Sequence, residues 1–459
     1  MLIDTIHLAL LVILQIGIAH GQVITYNYPG DIPEDDNYQV SVNGEAQKVY
    51  GTPIAGVVTY GSTGATTVEV VTQFAFEQVV IRPLRLNIQA KIMNDRQVQF
   101  TLPADTKVSV EFDHRIYMPL FVFSQKPVSS ELTTTATIVY EAGKRYTIEN
   151  KRIKTGDRVW VQAGAVLKGT FLMEDVEDVI IFGHGIIDNR DLTREEGYYG
   201  LGWMKARNSS VSNLHLIGNP RWSTSYFGCK NIRVNDMRII GWRRSDDGID
   251  VVGSEDITIE NTFVRTKDDC LAIKASEFWY KVPDPEGVPF TVPKTIGCKL
   301  VNNVTMKNCT LWNAEWGNAI EIGFETRADT MKSITIENVD IIHVEANGGA
   351  LTIHNGDRAH ITDVLYKDIR IEEAYGYLCH FQVLFSHYSK DKERGSGSNI
   401  IMDNIRVVGG APLNSIITGL DAEHQYKDIK FRGLTIHGKK IKDVKDGNIY
   451  TEHAEVIVE

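Results

Sequence analysis

A strand-length motif of the form aliphatic-x-aliphatic-x-Asn/Asp recurs through the later part of the chain. It reads Ile232-x-Val234-x-Asp236, Ile257-x-Ile259-x-Asn261, Val304-x-Met306-x-Asn308 and Ile334-x-Ile336-x-Asn338. Val364-x-Tyr366-x-Asp368 and Ile400-x-Met402-x-Asn404 continue it less strictly, and variants ending in Gly183 and Gly433 bracket the series. The intervals between the Asn/Asp positions are 25, 47, 30, 30 and 36 residues. One short strand repeated at such a period specifies a solenoid. The apolar period is two, so the coils are built of β-strand and not of helix pairs. Stacking them should align the Asn/Asp side chains into a ladder that satisfies turn backbone groups. The long interval predicts an insertion around residues 280–289, outside the stack.

A second strand aligns in the same way. Its rungs are Asp247–Val252, Asp269–Lys274, Asn318–Gly323 and Gly349–His354. The columns Ile249/Leu271/Ile320/Leu351 and Val251/Ile273/Ile322/Ile353 are uniformly aliphatic and are expected to face the core. Asp250/Ala272/Glu321/Thr352 and Val252/Lys274/Gly323/His354 then face outward. Strict alternation would send Asp247, Asp269 and Asn318 inward. We expect them instead at the turn entering each strand, with Gly248 breaking the alternation. Rungs lie about 4.8 Å apart, so carboxylates, an amide, a lysine and a histidine should gather on one face.

Upstream, residues 22–135 hold short alternating strands, among them Val40–Asn43, Thr67–Val71, Val79–Pro83, Val98–Leu102 and Val108–Phe112. Such strands with turn residues between them predict an N-terminal β-sandwich, followed by the solenoid over residues 136–459. Leu8–Ile18 is an apolar run too short to span a bilayer comfortably, and Ala19-His20-Gly21 follows it. Residues 1–21 therefore read as a cleaved secretory signal, which predicts an extracellular protein with no membrane association after cleavage. The net charge of -11 and the lack of a basic run argue against nucleic acid as a partner. Five cysteines show no zinc spacing, and Cys270 and Cys309 fall inside strand patterns where a thiol serves as a small buried hydrophobe. Of three Asn-x-Ser/Thr sequons, Asn308 lies on the ladder and is expected to be buried. Asn208 and Asn303 precede strands and are open to glycosylation.

The motifs Arg244–Asp250 and Lys267–Lys274 hold five aspartates between them. Acids stacked on acids repel, so the arrangement needs a reason. Glycoside hydrolysis supplies one, because it uses a protonated carboxyl to protonate the leaving oxygen and a second carboxylate to activate water. Asp247, Asp268 and Asp269 would be that set, with coupled titrations. A Ca²⁺ site and an inert cluster of turn acids are the other readings the residues leave open. Trp316, Trp242 and Tyr280 could stack on sugar rings or serve as packing. Glu321 and Lys274 are expected to line the cleft. Glu325, Arg327 and His354 sit at coil exits, where a surface ion pair is the alternative.

Ser245-Asp246-Asp247-Gly248-Ile249-Asp250 resembles the Asn-Thr-Asp-Gly-Ile-Asp motif of the polygalacturonase family, glycoside hydrolase family 28. Asp268-Asp269-Cys270-Leu271-Ala272-Ile273-Lys274 resembles its Gly-Asp-Asp-Cys-Ile-Ala-Ile motif, and Asn219–Trp222 and Gly183–Asp188 resemble further segments. The resemblance implies a right-handed parallel β-helix and inverting hydrolysis, with Asp268 as general acid and Asp247 and Asp269 holding the water. The family's Gly-His-Gly stands here as Gly317-Asn318-Ala319, and its Arg-Ile-Lys is replaced by Ala350–His354. A β-sandwich before a β-helix, with an Asp-Asp pair and without those basic residues, is more similar to the dextranase and isopullulanase family, glycoside hydrolase family 49. Pro119–Phe123 and Gly164–Gly169 also resemble its junction between the two parts.

The sequence thus predicts an all-β chain, a β-sandwich leading into a right-handed parallel β-helix, acting as a secreted polysaccharide hydrolase of dextranase-like rather than pectin-degrading type. Asp247, Asp268 and Asp269 are the expected catalytic residues. Asp250, Lys274, Asn318, Glu321, His354 and Trp316 are expected to bind substrate, with no metal or other cofactor. A Ca²⁺-dependent polysaccharide lyase and a non-catalytic glycan-binding solenoid are the alternatives.

Overall fold

A computed structural model describes residues 21–459 except 195, 197, 198, 281–293, 299, 346 and 412, with side chains further omitted at 277–280 and 294–298. The expected signal segment, the tip of the expected insertion, and the side chains of Tyr280 and Cys298 lie outside the described residues.

The first part is a β-sandwich of two sheets. One holds Val23–Ile24, Tyr50–Gly51, Gly56–Ser62, Val79–Arg82, Lys107–Phe112 and Leu120–Gln125; the other holds Tyr38–Val42, Glu45–Gln47, Thr66–Thr72, Lys91–Asn94 and Gln97–Leu102. Alternation along Thr66–Thr72 sends Val68 and Val70 inward, where they meet Val98, Phe100, Val108 and Val110. Each such side chain stabilises the fold by about 1.5–3 kcal/mol, offset by the entropy of the ordered chain. The last sandwich strand ends at Gln125, and the first coil strand begins at Ile138.

From there the chain winds into a parallel β-helix with three stacked faces. The repeat strand forms the first. Its inward column runs Val159, Ile181, Val211, Val234, Ile259, Met306, Ile336, Tyr366, Met402 and Phe431, each paired in parallel register with the next. The Asn/Asp residue closing each repeat strand adopts a left-handed backbone, with φ of 55° at Asp236 and 56° at Asn308. Asn and Asp tolerate that conformation better than other residues with a Cβ. The ladder stands on the outside of a corner, where Asn338 Nδ2 donates to Asn308 Oδ1 at 2.7 Å. Asn308 is therefore exposed, contrary to the burial expected of it, because the left-handed turn points its side chain away from the coil. Asn208 and Asn303 lie within strands rather than before them, also in left-handed conformation. They belong to a second ladder at the opposite end of the same strands: Asn231 donates to Asn208 at 2.9 Å, and Asn303 to Asp256 at 2.7 Å.

The second face carries the sandwich. Its outer side presents Val166, Ile186, Ile217, Ile240, Phe263, Trp312 and Ile342 to Val57, Phe121 and Phe123. Phe121 meets Phe263 with ring centroids 5.1 Å apart. Buried charge pairs accompany this packing. Arg82 donates to Glu111 at 3.1 Å and to Glu372 at 2.8 Å, and His343 lies 3.0 Å from Glu111. Trp242 packs into this junction beside Arg190, away from the acids, so the stacking role considered for it does not apply.

The third face carries the Asp motifs. Ile249 pairs with Leu271, Leu271 with Ile320, and Ile320 with Leu351, in the expected register. The strand Leu271–Tyr280 then continues past its rung and pairs antiparallel with Lys294–Cys298, so the arms of the insertion leave the parallel stack. Cys229, Cys270, Cys309 and Cys379 are buried free thiols. Among the described residues, no helix is long and apolar enough to cross a membrane.

Candidate active site

Two turns place the acids. The turn before Ile249–Val252 is held by Asp246, a fully buried residue whose carboxylate accepts from the backbone N–H of Arg243 at 2.5 Å and of Lys267 at 2.9 Å. It thereby ties the Asp247 turn to the Asp268–Asp269 turn of the next coil. Burial pushes its carboxyl up to about 8, against the pull of these donors. Gly248 is required for closeness: a Cβ there would stand 2.6 Å from the carbonyl oxygen of Cys270. Gly317, at φ +67°, leaves room for Asp268 Oδ1, which a Cβ would approach to 2.5 Å. Asp247, Asp269 and Asn318 accordingly precede their strands, as the repeat alignment requires.

These turns open on a cleft of about 450 Å³ lined by Asp247, Asp268, Asp269, Lys274, Asn318 and Trp316. Arg221, Trp222, Arg244, Phe324, Glu325 and Tyr388 complete its walls. Lys274 Nζ sits between two carboxylates, 3.0 Å from Asp247 and 2.8 Å from Asp250, and 4.2 Å above the Trp222 ring. Burial alone would lower its pKa, but Asp247 and Asp250 hold it well above its ordinary value. The lysine ammonium thus occupies the point where those two carboxylates converge, which is where a Ca²⁺ ion would need to stand. Among the described residues, no group of three or more His, Cys, Asp and Glu is arranged to hold a metal ion.

Asp268 is half-buried. It accepts from the backbone N–H of Ser245 and of Asp269, both at 3.2 Å. Burial, then the charge of Asp247, pushes its carboxyl up to about 6. Asp269 is nearly enclosed, and burial together with Asp247, Asp268 and Glu321 raises it well above the carboxylate range. It accepts from Asn318 twice, from the backbone N–H at 2.7 Å and from Nδ2 at 3.3 Å.

Three residues expected to bind substrate do not line the cleft. Asp250 and Glu321 point outward from the coil as the alternation requires, yet both are fully buried. Asp250 is capped by Lys274, which Trp222 covers in turn. Glu321 is closed over by Thr352 and by His354, whose Nδ1 is 2.8 Å away. His354 is itself covered by the Phe324 ring, stacked 4.4 Å from it. Alternation tells which way a side chain points but not what later folds over it. Arg327 pairs with Asp391 at 3.2 Å, the surface-pair alternative. Arg244, Ser245, Phe324 and Tyr388 carry no periodic signal that marks them as site residues, and Arg221 and Trp222 are marked only by their family-like segment.

Residues 200–426 match the family model described as glycosyl hydrolases family 28. A protein named "Probable exopolygalacturonase B" from Neosartorya fischeri is 24% identical over 276 residues, covering 53% of this chain and 55% of its own. A polygalacturonase-named protein from Arabidopsis thaliana is 24% identical over 216 residues, covering 38% and 49%. The chain thus spans about half the length of the curated relatives it matches. In structure it is similar to Dex49A from Penicillium minioluteum, with a TM-score of 0.59 at 12% identity over 95% of this chain and 96% of that one. The family-28 match and the shared fold uphold the resemblance read from the two Asp motifs.

Proposed function

We propose that the chain, a β-helix protein with a family-28 motif set, is a polysaccharide hydrolase that cleaves glycosidic bonds by carboxylate acid–base catalysis. The observation that carries this reading is Asp268, a half-buried carboxyl at the cleft whose pKa is raised to about 6. Such a group stays protonated in mildly acidic solution and can protonate a leaving glycosidic oxygen. Asp247 and Asp269, one coil apart beside it, would hold the attacking water, with Asp247, ion-paired to Lys274, taking its proton. Lys274 orients Asp247 through its 3.0 Å ion pair. Trp316, 54% exposed at the cleft edge, offers an apolar face to a sugar ring. Inversion of configuration is what the resemblance implies.

For the substrate we favour a neutral glucan of the dextran type, because Gly317-Asn318-Ala319 and Ala350–His354 stand where family 28 has Gly-His-Gly and Arg-Ile-Lys. The second reading is a uronic polysaccharide, favoured by Arg221 and Arg244 on the cleft wall. The expected signal at residues 1–21 would deliver the enzyme to the extracellular space, which N-terminal sequencing of the exported protein checks.

The test is incubation with neutral, uronic and sulfated polysaccharides, reading new reducing ends, with Asp268→Asn in parallel. We expect one polysaccharide class to yield saturated reducing ends, and the variant to lose about 10²–10⁴-fold in rate while still binding the chain. Unchanged turnover in Asp268→Asn overturns the assignment. Unsaturated product ends that depend on Ca²⁺ would identify the lyase instead.

A further inference from the structure

A continuous hydrogen-bonded path leaves Asp269 and runs away from the cleft across four rungs. Asn318 Nδ2 donates to Asp269 Oδ1 at 3.3 Å and to Glu321 Oε2 at 2.9 Å, while its Oδ1 accepts from the backbone N–H of Gly349 at 2.9 Å. That third bond fixes which way the amide faces, so its donor end stays on the two carboxylates. Glu321 accepts in addition from Thr352 Oγ1 and from His354 Nδ1 at 2.8 Å. His354 Nε2 meets His380 Nδ1 at 3.2 Å, and His380 is half-buried, its ring stacked against Tyr377.

We propose that Glu321 and His354, acting through Asn318 at the cleft wall, are positioning residues that fix the carboxyl of Asp269 toward the cleft and set its charge, and that Glu321 and His354 do not contact the sugar. The assignment rests on the hydrolase reading of the cleft, and it redefines two residues that the sequence pattern alone put on the substrate.

The physical case has two parts. Glu321 is fully buried and holds its carboxylate charge because His354 and Thr352 donate to it, so its pKa lies below the ordinary value despite the burial. A buried anion one amide away from Asp269 then opposes ionisation of Asp269, and Glu321 is among the charges that raise it. The other charges facing Asp269 are Asp247, Asp268 and Lys274, and the titratable groups facing Glu321 are His354, Asp269, His380, Tyr366 and Tyr426. Through Asn318 the same carboxylate also orients Asp269, since an amide with its oxygen committed to Gly349 presents only N–H to the pair. Away from the cleft, the path ends at the half-buried His380. Burial, then the charge of His354, lowers its pKa to about 4, so it meets His354 as a neutral ring over most of the pH range.

The decisive variant is Glu321→Gln in the full chain. It removes the charge while keeping the shape. Two readouts are taken. The first is the titration of Asp269 followed by carboxyl ¹³C NMR, with the resonance assigned by its loss in Asp269→Asn; this needs no substrate. We expect the Asp269 midpoint to fall by about one pH unit in Glu321→Gln, as removal of a nearby like charge dictates. The second is the steady-state split. Both Glu321→Gln and His354→Gln should lower kcat by about tenfold or more with KM within about twofold. An unmoved Asp269 midpoint, or a rise in KM with kcat unchanged, overturns the proposal. If the Glu321 variant does not fold, the His354→Gln split decides in the same terms. Absence of hydrolysis by the wild-type chain on every polysaccharide would count against the hydrolase reading alone, because the NMR midpoint still reads the coupling.

Discussion

Replacing Lys274 by Met tests the electrostatic core of the site. The side chain is 6% exposed, its ammonium contacts Asp247 and Asp250 at 3.0 and 2.8 Å, and methionine keeps most of its volume under Trp222. Removing one partner of a buried ion pair costs about 3–5 kcal/mol, because the charge left behind has neither water nor a counter-ion. For a chain of 459 residues the unfolding entropy is about 1 kcal/mol/K, so the melting midpoint should fall by about 3–5 °C at pH 7. The sign with pH follows from the two titrations. Lys274 has a folded pKa above its unfolded one, so its own titration matters only in alkali above about 10.5, and between pH 3.5 and 7 the pH dependence comes from the acids it faces. Asp250 has a raised folded pKa, from burial first and Asp247 second, and without the lysine it rises further. An acid with a raised pKa loses stability as pH climbs above its unfolded value of about 3.9. The deficit of Lys274→Met should therefore be small near pH 3.5 and grow steadily to pH 7. Differential scanning calorimetry across that range reads it directly. An equal deficit at both ends would mean the lysine acts only as packing, and the charge argument would fall.

Asp268, at about 6, sets the upper side of the activity profile: a general acid must be protonated, so kcat should decline as pH rises through about 6, and that limb should vanish in Asp268→Asn. Trp316→Ala removes an exposed ring from the cleft edge; KM should rise about fivefold with kcat and the melting midpoint nearly unchanged, as read by initial rates and calorimetry. Asn338 has φ +53°, donates to Asn308 and accepts from Arg370 at 2.8 Å, so Asn338→Ala should cost about 1–2 kcal/mol in urea unfolding. Asn338→Gly should cost less, since glycine accepts the conformation freely.

Period-two alternation made the rungs legible. Ile249, Leu271, Ile320 and Leu351 pair as aligned because a slip of one residue would turn every aliphatic side chain out of the core. The first Asn/Asp ladder was legible because it closes each strand. The second, through Asn208, Asn231, Asp256 and Asn303, was not, since those residues occupy the variable positions that precede the aliphatic pair. The acids at the turns were legible from their density. The cover over the network of Asp250 and Glu321 was not, because Trp222 comes from the loop before Thr224–Phe227 and Phe324 lies beyond the aligned rung at the end of Ile320–Thr326, positions that obey no spacing rule. Asn308 shows the same limit: a ladder position states alignment between coils and leaves open which side of the corner the side chain takes.

The three faces of the coil divide the work in a way that leaves the acids one place to be. The repeat face is bounded at both ends by left-handed Asn/Asp corners, whose side chains are spent on each other and on the backbone. The second face is apolar on its outer side and is sealed by the sandwich through Phe121, Phe123 and Trp312, with Arg82, Glu111 and Glu372 paired in the same junction. The third face keeps outward polar columns clear of the sandwich, and there the cost of burying Asp250, Glu321 and Lys274 falls on one compact network. Such a network stabilises the fold less than an apolar replacement would. What it supplies is a set of carboxyls with opposed environments: Glu321 held ionised, Asp268 raised to about 6, and Asp247 clamped by a lysine. Removing the sandwich would expose the apolar second face and leave these acids in place. Removing Lys274 or His354 would leave the fold's cores intact and change the charge on the acids, which is why those two residues separate chemistry from architecture in this chain.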